Sequence, residues 1–341
     1  MKLRLDPWAT EYDTAFYVED LPEVNRASID AQVETTDWQG ISPMARAFPF
    51  DELLFIDGSR RTEARVLLED DLKQVAFGAV GTFGVGVVSC CPNQSRLSYF
   101  VELEPLGFTS IRRLCTLSSG YSLPGFEVVS RFKKHLGQLS YSVESTAKKE
   151  ADAVVRQLQF KMLQTEQQLA SRLCESYPKA LIVADGPRPK MGYAPNVVGY
   201  VKTMHVLPLA EEQIATVREL EEGQRSPLYL ISNNDKSQQL FEFFLRLRDP
   251  RPWLYSFAGM VRLQLAAGSR PEERLPEAIQ LADSLTTLLP RFATKQHQDP
   301  RAPQQLLPIR ALEAELKRKM GHPQMVRRRL TEYFSQTSEG A

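Results

Sequence analysis

The chain has 341 residues, 43% of them hydrophobic and 25% charged, the profile of an ordinary soluble globular protein with room for one large domain or two ordinary ones. Its 42 basic residues balance its 42 acidic ones, which argues against a surface coated in positive charge while leaving a local basic groove open. The four cysteines form no C-x-x-C pair, so neither a disulfide framework nor a zinc site is indicated.

The N-terminus carries no apolar h-region, and no run of about 18 apolar residues follows. A cytoplasmic protein without a membrane span is therefore expected. Residues 1–48 hold scattered aromatics and prolines and read as an N-terminal arm with a short helix or two. At Leu53 an apolar run, Leu-Leu-Phe-Ile, leads into Asp57-Gly58-Ser59, the pattern of a buried strand ending at a turn. The partly alternating Arg60–Leu68 run and the glycine-punctuated Val75–Cys90 run add two more strands, completing a predicted antiparallel meander. Residues 91–143 read as a looser β-rich insertion.

The clearest predicted helix spans 145–175, with Ser145 and Thr146 as caps and Val155, Leu158, Met162, Leu169 and Leu173 as its buried stripe. Glu166 falls within that stripe, four residues after Met162 and three before Leu169. A second apolar strand then ends in an acid and a glycine, Leu181-Ile-Val-Ala-Asp185-Gly186, and the strand at 197–202 ends in Lys202. A helix at 210–222 stops at Gly223, and 228–232, 241–247 and 260–265 are further strands. Helices are predicted at 272–289, 303–320 and 323–335, with residues 336–341 as a flexible tail.

Three acids stand out: Asp57 and Asp185 at the ends of apolar strands, and Glu166 on the apolar face of the helix between them. If the two strands are neighbours and the helix packs across them, the three converge. Clustered carboxylates raise one another's pKa unless cations neutralise them, and hard oxygen donors suit Mg²⁺ or Mn²⁺. Two such ions about 4 Å apart can activate a water and stabilise the leaving oxygen of a phosphodiester. The expected chemistry is metal-dependent cleavage of a nucleic-acid backbone. The order of meander, helix, strand, helix, strand and helices matches a ribonuclease H-like fold: an α/β mixed sheet flanked by helices, with a β-rich insertion and a helical C-terminal region.

Several runs together resemble bacterial members of the NurA nuclease family. They are Phe55-Ile-Asp-Gly-Ser-Arg-Arg-Thr-Glu-Ala-Arg-Val, Gly81-Thr-Phe-Gly-Val-Gly-Val-Val, Ile182-Val-Ala-Asp-Gly-Pro, Val198-Gly-Tyr-Val-Lys and Asp299-Pro-Arg-Ala-Pro-Gln-Gln-Leu before a helix with Leu312-Glu313. The resemblance extends from about residue 50 to 335 and implies one nuclease domain over 49–335. It implies a manganese-dependent DNA nuclease with 5′ to 3′ exonuclease and single-strand endonuclease activity. It further implies a homodimer working with HerA, a hexameric ATP-driven translocase, in end resection at double-strand breaks. Asp57, Glu166 and Asp185 match the family's metal-binding acids, and Asp299 is taken as the fourth ligand, with His297 as its substitute. Two ions, Mn²⁺ or Mg²⁺, are expected, with single- and double-stranded DNA as substrates.

Plainer readings stand beside these. Asp57 can be a turn residue, since Asp-Gly is a common turn dipeptide. Glu166 can be an ordinary helix residue, with Glu144 and Glu150 as competitors near the helix start. Lys202, placed among the catalytic residues, either touches a phosphate or snorkels to solvent. Two other function classes fit less well: a non-catalytic scaffold of the same fold that contacts DNA and an ATPase, and a phosphotransferase of the actin and sugar-kinase type. The latter expects Asp-x-Gly loops in both halves, where this chain has Asp-Gly.

Overall fold

The computed structural model describes residues 2–5, 28–44, 48–70, 72–90, 99–100, 110–129, 137–203, 207–232, 239–249, 256–295, 297–299 and 301–339. In chain order the strands are β1 (Lys2–Leu5), β2 (Ser28–Asp30), β3 (Glu52–Glu69), β4 (Val75–Cys90), β5 (Tyr99–Phe100), β6 (Ser110–Leu117), β7 (Phe126–Val129) and β8 (Gln138–Ser145). Then follow α1 (Ala151–Ser176), β9 (Ala180–Asp185), β10 (Val197–Val201), α2 (Glu211–Glu219), β11 (Tyr229–Ser232), β12 (Leu240–Arg246), β13 (Met260–Ala266), α3 (Pro271–Leu288), α4 (Leu307–Lys319) and α5 (Pro323–Glu339). The strands form one large, mostly antiparallel sheet in the order β2-β11-β12-β13-β10-β9-β3-β4-β6-β8-β7, with β1 added to β3 and β5 to β4.

At its centre β3, β9 and β10 run parallel, while β4 is antiparallel to both β3 and β6. The first strand does not end at Asp57. It continues through Gly58 to Glu69 because β4 pairs with it throughout, Asp57 with Gly86 and Ser59 with Gly84, interrupted by one bulge between Thr62 and Ala64. The two runs predicted as separate strands are one, and the third strand of the meander is β6, inside the segment expected to be an insertion.

Strand side chains alternate between faces, and β3 shows the consequence. Leu53 and Phe55 enter a core shared with α3 and α4, through residues such as Leu285, Ile309, Leu312 and Leu316. Leu54 and Ile56 enter a second core under α1, with Leu158, Met162, Leu169 and Leu173. These four strand residues are at most 1% exposed. Burying each stabilises the fold by roughly 1.5–3 kcal/mol, which anchors the strand on both faces immediately before Asp57.

Helix α1 begins six residues later than expected, because Ser145 pairs with Leu117 in the β6–β8 ladder and so belongs to a strand. Helix α4 starts at Leu307, and α5 runs on through residues 336–339, which were expected to be tail. The described parts of the N-terminal arm contain strands and no helix. That arm is tied down at Glu34, whose carboxylate accepts two hydrogen bonds from the buried Arg225 guanidinium at 2.8 and 2.9 Å, while Arg225 also donates to Asp283 of α3. Among the described residues no helix is long and apolar enough to cross a membrane.

Candidate metal centre

The centre forms where β9 leaves β3. The last pair of their parallel ladder is Ile56 with Ala184. One step further stand Asp57 and Asp185, side by side at the carboxyl end of β9. There Gly186, at φ +109°, turns the chain away through a conformation that L side chains rarely adopt. Asp57 continues the alternation of Leu53 and Phe55, and Asp185 that of Leu181 and Val183, so both carboxylates project toward the α4 face. Helix α4 brings Glu313 to meet them. Carboxylate oxygens of Asp57, Asp185 and Glu313 all lie within 4.8 Å of one another.

Glu166 approaches β3 from the α1 face of the sheet. It sits on α1 beside Met162, and its carboxylate fills the space that a side chain at Gly58 would need. Gly58 is thus a mid-strand residue whose missing side chain leaves room for Glu166, and not a turn. Glu166 stands outside the set of three mutually close oxygens, near enough for its charge to act on Asp57.

Burial and mutual repulsion dominate the electrostatics. Asp57 is 7% exposed, and its carboxyl is pushed well above the usual range, first by desolvation and then by the charges of Asp185 and Glu166. Desolvation, followed by the Asp185 charge, raises Glu166 from its ordinary 4.5 to about 8. Asp185 is raised by burial, against the opposing pull of Lys202. Burial pushes Glu313 up as well, but its hydrogen bonds and charge attraction to Arg301 prevail and hold it low.

Lys202, just past the end of β10, donates from Nζ to Asp185 Oδ2 at 2.6 Å and to Gln305 Oε1. It therefore binds the cluster and does not snorkel to solvent. Arg301 grips Glu313 with two bonds of 2.9 Å. Asp57 Oδ1 accepts from the Gly58 amide at 2.8 Å, whereas Asp57 Oδ2 is buried with no hydrogen-bond partner. A buried, unsatisfied carboxylate oxygen is costly. The Asp57 carboxylate, gathered with those of Asp185 and Glu313, suits a divalent cation such as Mn²⁺ or Mg²⁺.

Asp299, expected as the C-terminal ligand, does not join the cluster. Its carboxylate accepts from the Arg301 backbone amide at 2.8 Å and pairs with the Arg301 and Arg310 side chains at 3.3 and 3.6 Å. Those contacts hold its carboxyl below the usual range despite its burial. His297, the substitute, is exposed. The third carboxylate that meets Asp57 and Asp185 is that of Glu313. A signal for it was present: Glu313 lies four residues after Ile309 and three before Leu316, both buried, the same offsets that mark Glu166 on α1. Arg61 and Glu63 make a structural pair at 2.9 Å, with Glu63 also accepting from Thr82 and Tyr141.

No protein-family model matches this chain, and no curated protein matches it.

Proposed function

We propose that this protein is a metal-dependent nuclease of ribonuclease H-like fold, acting on DNA in the manner of the NurA family. The observation that carries the reading is the convergence of Asp57, Asp185 and Glu313 within 4.8 Å, with Asp57 Oδ2 buried and without a donor. The central strand order β6-β4-β3-β9-β10, with β4 alone reversed and α1 between β8 and β9, supports the ribonuclease H-like assignment. The basic groups around the cluster, Lys202, Arg301, Arg310 and Lys317, suit a polyanionic substrate.

Asp57, Asp185 and Glu313 would hold the ion, with Glu166 close against β3 at Gly58. A divalent cation bound there supplies Lewis-acid chemistry to a phosphodiester and to an attacking water. The chain's own part is positional. The β3–β9 ladder fixes the spacing of the two aspartates, Arg301 orients Glu313, and the buried cores beneath keep the carboxylates from relaxing apart. No side-chain nucleophile is required. Action as a homodimer, partnership with a HerA-type ATPase and a role in end resection belong to the same proposal and rest on the sequence resemblance.

The test is Asp57→Asn, purified and folded, assayed with Mn²⁺ on single-stranded and duplex DNA. Loss of roughly a hundredfold or more in cleavage rate is expected, with loss of Mn²⁺ binding heat. Full cleavage by the variant would defeat the assignment. Mn²⁺ binding without any cleavage by the native protein would instead favour a scaffold role.

A further inference from the structure

We infer that Gln305 is a positioning residue of this centre, its side-chain amide fixing the Lys202 ammonium and the Glu313 carboxylate relative to one another. The inference rests on the metal-centre reading above and concerns what holds the acids of different elements in one arrangement.

The acids reach the cluster from separate parts of the fold. Asp57 and Asp185 are set by the β3–β9 ladder, whereas Glu313 arrives on α4. Gln305 stands just before α4 and is fully buried. Its Oε1 accepts from Lys202 Nζ, which also donates to Asp185 Oδ2 at 2.6 Å, and its Nε2 donates to Glu313 Oε1 at 3.2 Å. The path Asp185–Lys202–Gln305–Glu313 thus links the acid of β9 to the acid of α4 through three hydrogen bonds. The amide can face only one way. An ammonium only donates and a carboxylate only accepts, so the amide oxygen must meet Lys202 and the amide nitrogen must meet Glu313. A side chain that only donates or only accepts cannot serve both neighbours.

The main chain at this point is anchored separately. The Gln305 carbonyl accepts from the Thr294 amide at 3.0 Å and from Thr294 Oγ1 at 2.7 Å, and the Gln305 amide N–H donates to the Arg301 carbonyl at 3.1 Å. The Tyr200 hydroxyl, from β10, donates to the Gln304 carbonyl at 2.6 Å. The backbone is therefore held without the side-chain amide, whose two bonds go to the cluster. Anchoring of the segment and positioning of the ligand can be separated by mutation.

Calorimetric titration with Mn²⁺ and electron paramagnetic resonance of the bound ion test this on the full-length protein. Gln305→Met is expected to weaken Mn²⁺ binding by about 10–100-fold and to change the bound-ion spectrum, which reports the symmetry of the ligand set. Thr294→Val removes a bond to the Gln305 main chain only. It should lower the unfolding temperature and leave the bound-ion spectrum as in the native protein. A folded Gln305→Met protein with native affinity or a native spectrum would overturn the inference and leave the metal-centre reading standing. So would a Thr294→Val protein that matches Gln305→Met in both readouts, since the amide would then act only by holding the segment. Should Gln305→Met fail to fold, Gln305→Glu decides, because it keeps an acceptor toward Lys202 and removes the donor toward Glu313. An altered bound-ion spectrum in that variant sustains the inference, and a native spectrum defeats it. No Mn²⁺ binding by the native protein would overturn the metal-centre reading, and the inference with it.

Discussion

Glu166 on α1 occupies the space that a side chain at position 58 of β3 would need. A Cβ built on Gly58 would overlap the Glu166 carboxylate and approach Met162 Cγ to 2.9 Å. The glycine therefore lets an acid of α1 lie close against β3, near enough for its charge to act on Asp57. Gly58→Ala is expected to destabilise the protein by about 1–3 kcal/mol, the usual cost of overpacking, and to weaken Mn²⁺ binding. Glu166→Ala should relieve part of that cost when combined with it, so that the two changes are not additive. Thermal unfolding of the two single variants and the double variant measures the coupling. Strict additivity would show that the two positions do not share the space.

The raised carboxyls set a pH dependence of unusual sign. A carboxyl whose pKa is higher in the folded protein than in the unfolded chain binds more protons when folded. Its contribution is then fully present at low pH and is lost as pH rises through the folded pKa. For Glu166 the window runs from its ordinary 4.5 to about 8, and the directions for Asp57 and Asp185 add to it. The metal-free protein should lose stability across that window, with a slope of at most about 1.4 kcal/mol per pH unit for each group. Denaturant unfolding from pH 5 to 8.5 reads this directly, and Glu166→Gln should flatten it. An unchanged slope in that variant would show that Glu166 is not the titrating group.

Asp299 and Glu313 differ in what they face, Glu313 meeting the two aspartates and Asp299 meeting arginines. Asp299 contacts Arg301, which in turn grips Glu313. Asp299→Asn should therefore keep Mn²⁺ binding, with an affinity loss of about 10–100-fold at most, the range for residues that orient a ligand. Glu313→Gln should lose far more. Calorimetric titration of both variants decides, and the reverse ranking would restore Asp299 to the cluster.

Much of this arrangement was legible in the chain itself. An apolar run ending in an acid marks Asp57 and Asp185, because burying four successive apolar side chains fixes where the next one must go. The helical spacing of Val155, Leu158, Met162, Leu169 and Leu173, all buried as expected, marks Glu166 by its place within their stripe. These are local signals, set by the periods of strand and helix.

Other features depended on partners far away in sequence. Whether Asp57-Gly58 is a turn or a mid-strand step depends on Val85 and Gly86 lying opposite in β4, and no local propensity records that pairing. Asp-Gly favours a turn when its backbone groups have nowhere else to bond, but here a ladder supplies the bonds. In the same way the choice between Asp299 and Glu313 follows from α4 packing its Ile309–Leu316 stripe onto β3 and β4. That packing aims Glu313 at the aspartates and leaves Asp299 to the arginines. The sequence by itself determined which acids sit on buried elements. Only the tertiary structure decided which of them meet, because convergence is set by strand register and helix packing across more than a hundred residues of separation.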